Sequence, residues 1–320
     1  MTDALLSAKG LRVHYHTRRG PVRAVDAVSF DLLPGESLGI VGETGCGKST
    51  LGKAILGLLP PRTKVEGSLR FRGQELVRLA PAAFRRLRGE ELALIFQDPM
   101  TRLDPLMTIR EHFVETLRAH DRKLSEDAAA DRAAKVLRSM GIPETRLEHY
   151  PHEFSGGMRQ RIMIAMAVVL RPKLLVADEP TTSLDVIVEA QILEILEALR
   201  RSYGMSLLLI THNLGVVAEV CDRVGVMYAG KLVEIGPIAD VFRRPIHPYT
   251  QGLLASTIHM GTTELRSIDG MPPSLLAPPP ACRFHPRCTF ARDVCRAEEP
   301  EKVEFRPGHV AACHFGRDFL

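Results

Sequence analysis

Residues 36–61 read ESLGIVGETGCGKSTLGKAILGLLPP, and this stretch decides the fold. ESLGIVG, Glu36 to Gly42, is short and apolar, as a buried strand is; Gly42 to Ser49 is a glycine-rich turn; Ser49 to Leu59 is an apolar helix that Pro60 and Pro61 stop. Strand, glycine loop and helix in that order open an α/β nucleotide-binding unit. The turn, GETGCGKS, matches G-x-x-x-x-G-K-[ST] in full, which happens by chance in about one chain of this size in a hundred. Gly42, Gly45 and Gly47 let the amides of Glu43, Thr44 and Cys46 crowd around an anion. Lys48 adds a point charge, the Ser49 hydroxyl can bind Mg²⁺, and the helix start at Ser49 and Thr50 adds a favourable dipole.

Working outward, Leu5 to Leu33 alternates apolar and polar residues around the turn-like TRRGP, the pattern of an antiparallel sheet, and Gly67 to Leu79 returns to it with an Arg-Gly turn. Between Thr108 and Met140 the spacing of Val114, Leu117, Val136, Leu137 and Met140 is helical, which predicts a small helical subdomain. The α/β order then resumes: a helix from Gly156, strand KLLVADEP, helix Val186 to Arg201, strand MSLLLITH, helix Leu214 to Cys221 and hairpin VGVMYAGKLVEIG. The expectation is a parallel core with an N-terminal β layer and an inserted helical piece.

Two further stretches carry chemistry. LLVADEP is a buried strand ending in Asp178 and Glu179, at the end of the strand where both can reach a ligand crevice. Asp178 can hold Mg²⁺ through water and Glu179 can orient or deprotonate an attacking water, although such pairs equally cap helices. In SGGMRQR, Ser155 can cap a helix while Gly156 and Gly157 let bare amides approach an anion; a capped core helix is the plainer alternative.

With these parts in this order, residues 5 to 250 resemble the ATP-binding-cassette family: an α/β phosphate-loop nucleoside triphosphatase with a RecA-like parallel core, an N-terminal antiparallel β subdomain and an inserted helical subdomain at about 100–160. The family signature LSGGQ stands here as FSGGM, followed by Gln160 and Arg161. The resemblance implies that Tyr15 stacks on adenine, that Gln97 ligates Mg²⁺ with Ser49 and Asp178 and senses the γ-phosphate, and that His212 is a switch histidine. It implies equally that Ser183 and Asp185 lie in the loop that meets a second ATPase subunit. Two such subunits sandwich ATP between one phosphate loop and the other's Ser155-Gly156-Gly157, so that binding closes the dimer and hydrolysis by Glu179, with Lys48, Gln97 and His212, opens it. Cys46, often serine in such loops, sits beside Lys48 and helix amides that predict a lowered thiol pKa and reactivity when ATP is absent; a neutral stand-in for serine is the alternative.

IFQDPMTRLDPLMTIRE, RRPIHPYTQGLLAS and the tail GMPPSLLAPPPACRFHPRCTFARDVC resemble the oligopeptide/dipeptide importer ATPases within that family. Such a subunit works under two integral membrane permease subunits fed by an extracytoplasmic substrate-binding protein, often with a second, different ATPase chain, and the stretch Gln97 to Met107 would receive a permease helix. The cargo is peptide, nickel or another small solute. A soluble cassette ATPase of DNA repair or translation is the alternative reading, but those usually carry two cassettes or long coiled-coil insertions; a phosphate-loop kinase would leave the SGG segment without a task.

The division expected is a cassette at 5–258 and a C-terminal Cys-rich extension at 259–320. That extension holds eight basic and eight acidic residues, is proline-rich and irregular, and needs something other than a large core to hold it. Its Cys282, Cys288, Cys295 and Cys313 lack the tight pairs that zinc knuckles prefer; the wider spacing and the resemblance suit a [4Fe–4S] cluster, with Zn²⁺ or free thiols as alternatives. Across all 320 residues, 42 basic against 38 acidic side chains is too even a balance for a nucleic-acid binder. The longest apolar run, Ile162 to Leu170, falls far short of the roughly 20 residues that span a bilayer. With no secretory signal at the start, the expected location is peripheral, on the cytoplasmic face of the inner membrane.

Overall fold

Alternation along the first strand, β1 (Leu6–Thr17), buries Leu6 and Ala8, slips phase at Gly10, and then buries Leu11 and Val13. The slip is a bulge: Gly10 has φ +56°, and the pairing of β1 with β2 (Gly20–Leu32) and with the strand at Lys64–Phe71 shifts register there. The computed structural model describes residues 3–96, 102–182, 184–256 and 267–320. The chain falls into two units, Met1–Leu79 with Leu209–Leu320 and Ala80–Leu208.

In the first unit, β3 (Ser37–Val41) is buried at all five residues, and α1 (Lys48–Ile55) follows it. The helix stops before the two prolines expected to end it, because Gly57 takes φ +61° and its N–H turns back to the Ala54 carbonyl. β4 (Lys64–Phe71) and β5 (Gln74–Glu75) are joined by Arg72 and Gly73, both at positive φ, and complete an antiparallel sheet of order β2-β1-β4-β5.

The second unit contains α2 (Pro81–Glu90), β6 (Leu92–Ile95), α3 (Ile109–Arg118), α4 (Glu126–Ser139), α5 (Gly156–Val168), β7 (Leu174–Asp178) and α6 (Val186–Tyr203). β6 and β7 pair in parallel, Leu92 opposite Leu174. Four of these helices begin on a side-chain cap, Thr108 for α3, Ser125 for α4, Ser155 for α5 and Asp185 for α6, whereas α2 follows Ala80 with a proline in its first turn and no such cap. The boundary between the units falls inside β8 (Ser206–Ile210).

The chain returns to the first unit with α7 (Leu214–Val220), the hairpin β9 (Arg223–Tyr228) and β10 (Lys231–Pro237), α8 (Ile238–Arg243) and α9 (Pro248–Ala255). β3 and β9 run parallel, whereas β9 and β10 are antiparallel, so this sheet is mixed rather than purely parallel. Residues 267–320 differ from the irregular tail expected. They form α10 (Asp293–Ala297), β11 (Val303–Arg306) and β12 (His309–Ala311), and β12 pairs antiparallel with β10, giving the local order β11-β12-β10-β9-β3. Among what holds the segment, besides that pairing, is a buried cation: Arg283 bonds the Ala229 carbonyl and the Asp26 carboxylate of β2. Among the described residues no helix is long and apolar enough to cross a membrane.

Candidate nucleotide site

The phosphate loop joins β3 to α1 with Gly42, Gly45 and Gly47 all at positive φ. Two of these glycines are also forced by packing: a Cβ on Gly42 would lie 2.1 Å from the Met227 carbonyl oxygen, and one on Gly47 would lie 1.9 Å from that of Ala24. Gly45 faces open space, and Thr44 and Gly45 are exposed, so the tip of the loop is the part free to meet a ligand. Lys48 is buried and its ammonium donates to the carbonyls of Gly42 (2.6 Å) and Glu43 (3.2 Å). Tyr15 donates from its hydroxyl to Thr50 Oγ1 at 3.1 Å, which ties the aromatic side chain of β1 to the first turn of α1. Cys46 does not have the lowered pKa expected. It is buried, and burial pushes the thiol up, outweighing the pull of Lys48, whose Nζ is 4.0 Å from Sγ.

Residues far along the chain grip this loop. The Glu43 N–H donates to Tyr249 Oη (3.0 Å), and the Glu43 carboxylate accepts two bonds from Arg287, at 2.7 and 3.0 Å. His247, Pro248 and Tyr249, known above only through a resemblance, gain a physical account here. His247 Nδ1 accepts the Tyr249 N–H at the start of α9, while the Glu234 carboxylate accepts the N–H groups of Ile246 and His247. Tyr249 then packs 4.5 Å from Tyr228 and 5.4 Å from Phe284, centroid to centroid. Arg287 left no local signal in the sequence, because its partner lies 244 positions away.

In the second unit, β7 ends at buried Asp178, and Glu179 follows at φ +49°, its carboxylate accepting from the Thr182 hydroxyl at 2.8 Å. Ser155 caps α5 by accepting the Met158 N–H. Gly157 is there for packing, since a Cβ would lie 2.7 Å from Val188 Cγ1 of α6, whereas Gly156 has open space around it. Gln160 and Arg161 connect this helix to its neighbours: Gln160 Nε2 donates to the Pro180 carbonyl just past the two carboxylates, and Arg161 reaches Met140 and Gln191. Asp185 caps α6 by accepting the Val188 N–H. In the first unit, His212 follows β8 and is exposed. Gln97 and Ser183 lie outside the described residues.

Cys282, Cys288, Cys295 and Cys313 line one small cavity with His285, His314 and several aromatic rings. All four are free thiols. Burial pushes Cys282 up to about 11 and Cys313 up to about 12, with the neighbouring thiols adding to the rise. Among the described residues no group of three or more His, Cys, Asp or Glu is arranged to hold a metal ion. The four-thiolate cluster expected from the spacing is therefore not supported: the side chains share a cavity without converging as ligands.

The chain matches the family description "ABC transporter" over residues 25–182 and "Oligopeptide/dipeptide transporter, C-terminal region" over residues 233–295. It is 47% identical over 317 residues to the dipeptide transport ATP-binding protein DppD of Bacillus subtilis (strain 168), covering 97% of this chain and 94% of that protein. With the oligopeptide transport ATP-binding protein OppD of Escherichia coli (strain K12) the identity is also 47%, over 97% of this chain and 93% of the relative. Among solved structures, the ATP-binding cassette MJ0796, captured as a post-hydrolysis dimer with ADP and Pi, superposes with a TM-score of 0.65 at 25% identity over 73% of this chain and 98% of the other. The cbiO1 protein of Clostridium perfringens gives 0.65 at 28% identity, over 76% of this chain and 93% of that one. With the phosphate loop, the strand-end carboxylates and the SGG helix in place, the chain belongs to the ATP-binding proteins of the oligopeptide/dipeptide ABC transporter family.

Proposed function

We infer that the chain hydrolyses ATP to drive peptide uptake, as the ATP-binding subunit of an ABC importer for oligopeptides, dipeptides or related small solutes. The observation that carries this is the intact phosphate loop in a chain nearly half identical, end to end, to peptide transport ATP-binding proteins. Action in DNA repair or translation is not favoured by those relatives. In the proposed cycle the loop from Gly42 to Thr50 binds the phosphates, with Lys48 leaving its loop carbonyls for phosphate oxygens and Tyr15 against the adenine. Ser49, Gln97 and Asp178 would hold Mg²⁺; a hydroxyl at a helix start and a buried strand-end carboxylate are hard oxygen donors that suit it, and it would neutralise charge developing on the transferred phosphoryl group. Glu179 orients and deprotonates the attacking water, and His212 contacts the γ-phosphate. Ser155, Gly156 and Gly157 supply a second helix start to the nucleotide of a partner ATPase, with Ser183 and Asp185 in the facing loop.

The cassette at 5–258, the helical subdomain near 100–160 and the C-terminal extension belong to the same reading, as do two permease subunits, a substrate-binding protein outside the membrane and a position on its cytoplasmic face. A [4Fe–4S] cluster on Cys282, Cys288, Cys295 and Cys313, or Zn²⁺ there, would require these four thiols to converge within the cavity they share; iron, sulfide and zinc analysis of anaerobically purified protein decides it. The experiment for the whole reading is copurification with permease subunits followed by ATPase assay of the assembled complex with and without peptide-loaded binding protein. Stimulation by peptide is expected, and a complex that forms without permease subunits would end the reading.

A further inference from the structure

The pairing of Arg287 with Glu43 is the feature that the function above does not use. Glu43 is the second residue of the phosphate loop, so its carboxylate places a negative charge beside a site that must attract phosphates. Arg287 answers that charge from a nearly buried position, with its side chain 6% exposed. It grips Glu43 through both carboxylate oxygens, the two-pronged geometry in which an ion pair is strongest. The guanidinium is itself fixed from all sides. Its Nε donates to the Asp269 carbonyl at 2.9 Å, one terminal nitrogen reaches the Ile268 carbonyl at 3.2 Å, and the other reaches Tyr228 Oη at 3.4 Å. Arg287 belongs to the short turn His285–Arg287, so its position depends on the seating of the C-terminal segment. The Glu43 N–H is separately committed to Tyr249, so both the backbone and the side chain of this loop residue are held by residues from the last quarter of the chain.

We propose that Arg287 is a positioning residue for ATP binding: by holding and neutralising Glu43 it keeps the phosphate loop attractive to a triphosphate, and ATP affinity thereby depends on the C-terminal segment being in place. The proposal rests on the reading of residues 42–50 as the ATP site. A purely structural brace would lower stability and affinity together and would not be rescued by removing the partner charge. An electrostatic one predicts that the effect of losing Arg287 disappears once Glu43 is neutral.

The test is calorimetric titration of full-length protein with ATP, without added magnesium so that no turnover intervenes, on wild type, Arg287→Gln, Arg287→Lys, Glu43→Gln and the double variant Glu43→Gln/Arg287→Gln. Arg287→Gln is expected to weaken ATP at least about fivefold, Arg287→Lys to stay within about threefold of wild type, and the double variant to bind within about twofold of Glu43→Gln alone. Arg287→Gln binding as wild type does, or a double variant weaker than Glu43→Gln by more than about threefold, overturns the proposal. If Arg287→Gln alone does not fold, as judged by circular dichroism, the comparison of Glu43→Gln with the double variant still decides it. Wild-type protein that binds no ATP would instead end the reading of the loop itself, a different failure.

Discussion

Glu179 carries a side chain at φ +49°, where a non-glycine residue costs on the order of 1 kcal/mol, and it does so at the residue that follows the buried strand β7. Strain kept at a strand end is explained by what it aims, here a carboxylate steadied by the Thr182 hydroxyl. Glu179→Gln keeps the shape and removes the base. Its ATP affinity should stay within about threefold of wild type while turnover falls by roughly a hundredfold or more; near-normal steady-state hydrolysis would take Glu179 out of its role. His247 offers a second test at this scale. Burial holds its pKa down to about 4 against the opposing pull of Glu234, and Nδ1 already accepts the Tyr249 N–H, so the folded ring is neutral. The unfolded chain takes up that proton near pH 6.5, so stability is full above this value and falls as pH is lowered from 6.5 towards 4. The loss between pH 7 and pH 5 comes to roughly 2 kcal/mol. His247→Asn retains an acceptor and cannot titrate. Urea unfolding at the two pH values should show a smaller loss for it than for wild type, and equal losses would mean that other groups set the acid sensitivity.

The helix start at Ser155 separates two glycines that look alike in sequence. Gly157→Ala presses a methyl group against the stiff side chain of Val188 in α6 and should cost about 1–3 kcal/mol in urea unfolding. Gly156→Ala meets nothing and should leave stability within about 0.5 kcal/mol of wild type, while lowering ATP turnover by the assembled importer if a partner's nucleotide must approach that turn. Unchanged turnover in Gly156→Ala would leave the segment as a capped core helix, the plainer of its two readings. This pair also marks where sequence stops being informative. Ser155 as a cap, the phosphate loop, the order of strands and helices and the buried Asp178 were legible because each is a local pattern with its own period or spacing. The bulge at Gly10, the early end of α1 at Gly57 and the grip of Tyr249 and Arg287 on Glu43 were not. Each is settled by contacts or by a dihedral angle that no neighbouring residue announces. Cys46 misled for the same reason: its neighbours in sequence predict a lowered pKa, and its burial in the fold reverses the sign.

Composition invites the view of a cassette with a separate proline- and cysteine-rich tail, yet in the first unit that tail is continuous with the sheet. Glu234, fully buried on β10, is the junction. Its carboxylate accepts the N–H groups of Ile246 and His247, which lead into α9, and it pairs with His309 Nε2 on β12 at 2.7 Å. One carboxylate thus holds both the strand that the C-terminal segment adds and the turn that presents Tyr249 to the phosphate loop. Removing it strands a buried histidine and two amide donors, a loss of about 3–5 kcal/mol for a buried pair broken on one side. Because one carboxylate holds all three partners, Glu234→Ala should release them together. Hydrogen exchange at the amides of 246–250 and of 309–311 should rise in step, and ATP affinity should fall as the Tyr249 hold on Glu43 loosens. Faster exchange at 309–311 alone, with 246–250 and ATP binding unchanged, would mean that the C-terminal segment is an independent attachment and that only its own strands depend on Glu234.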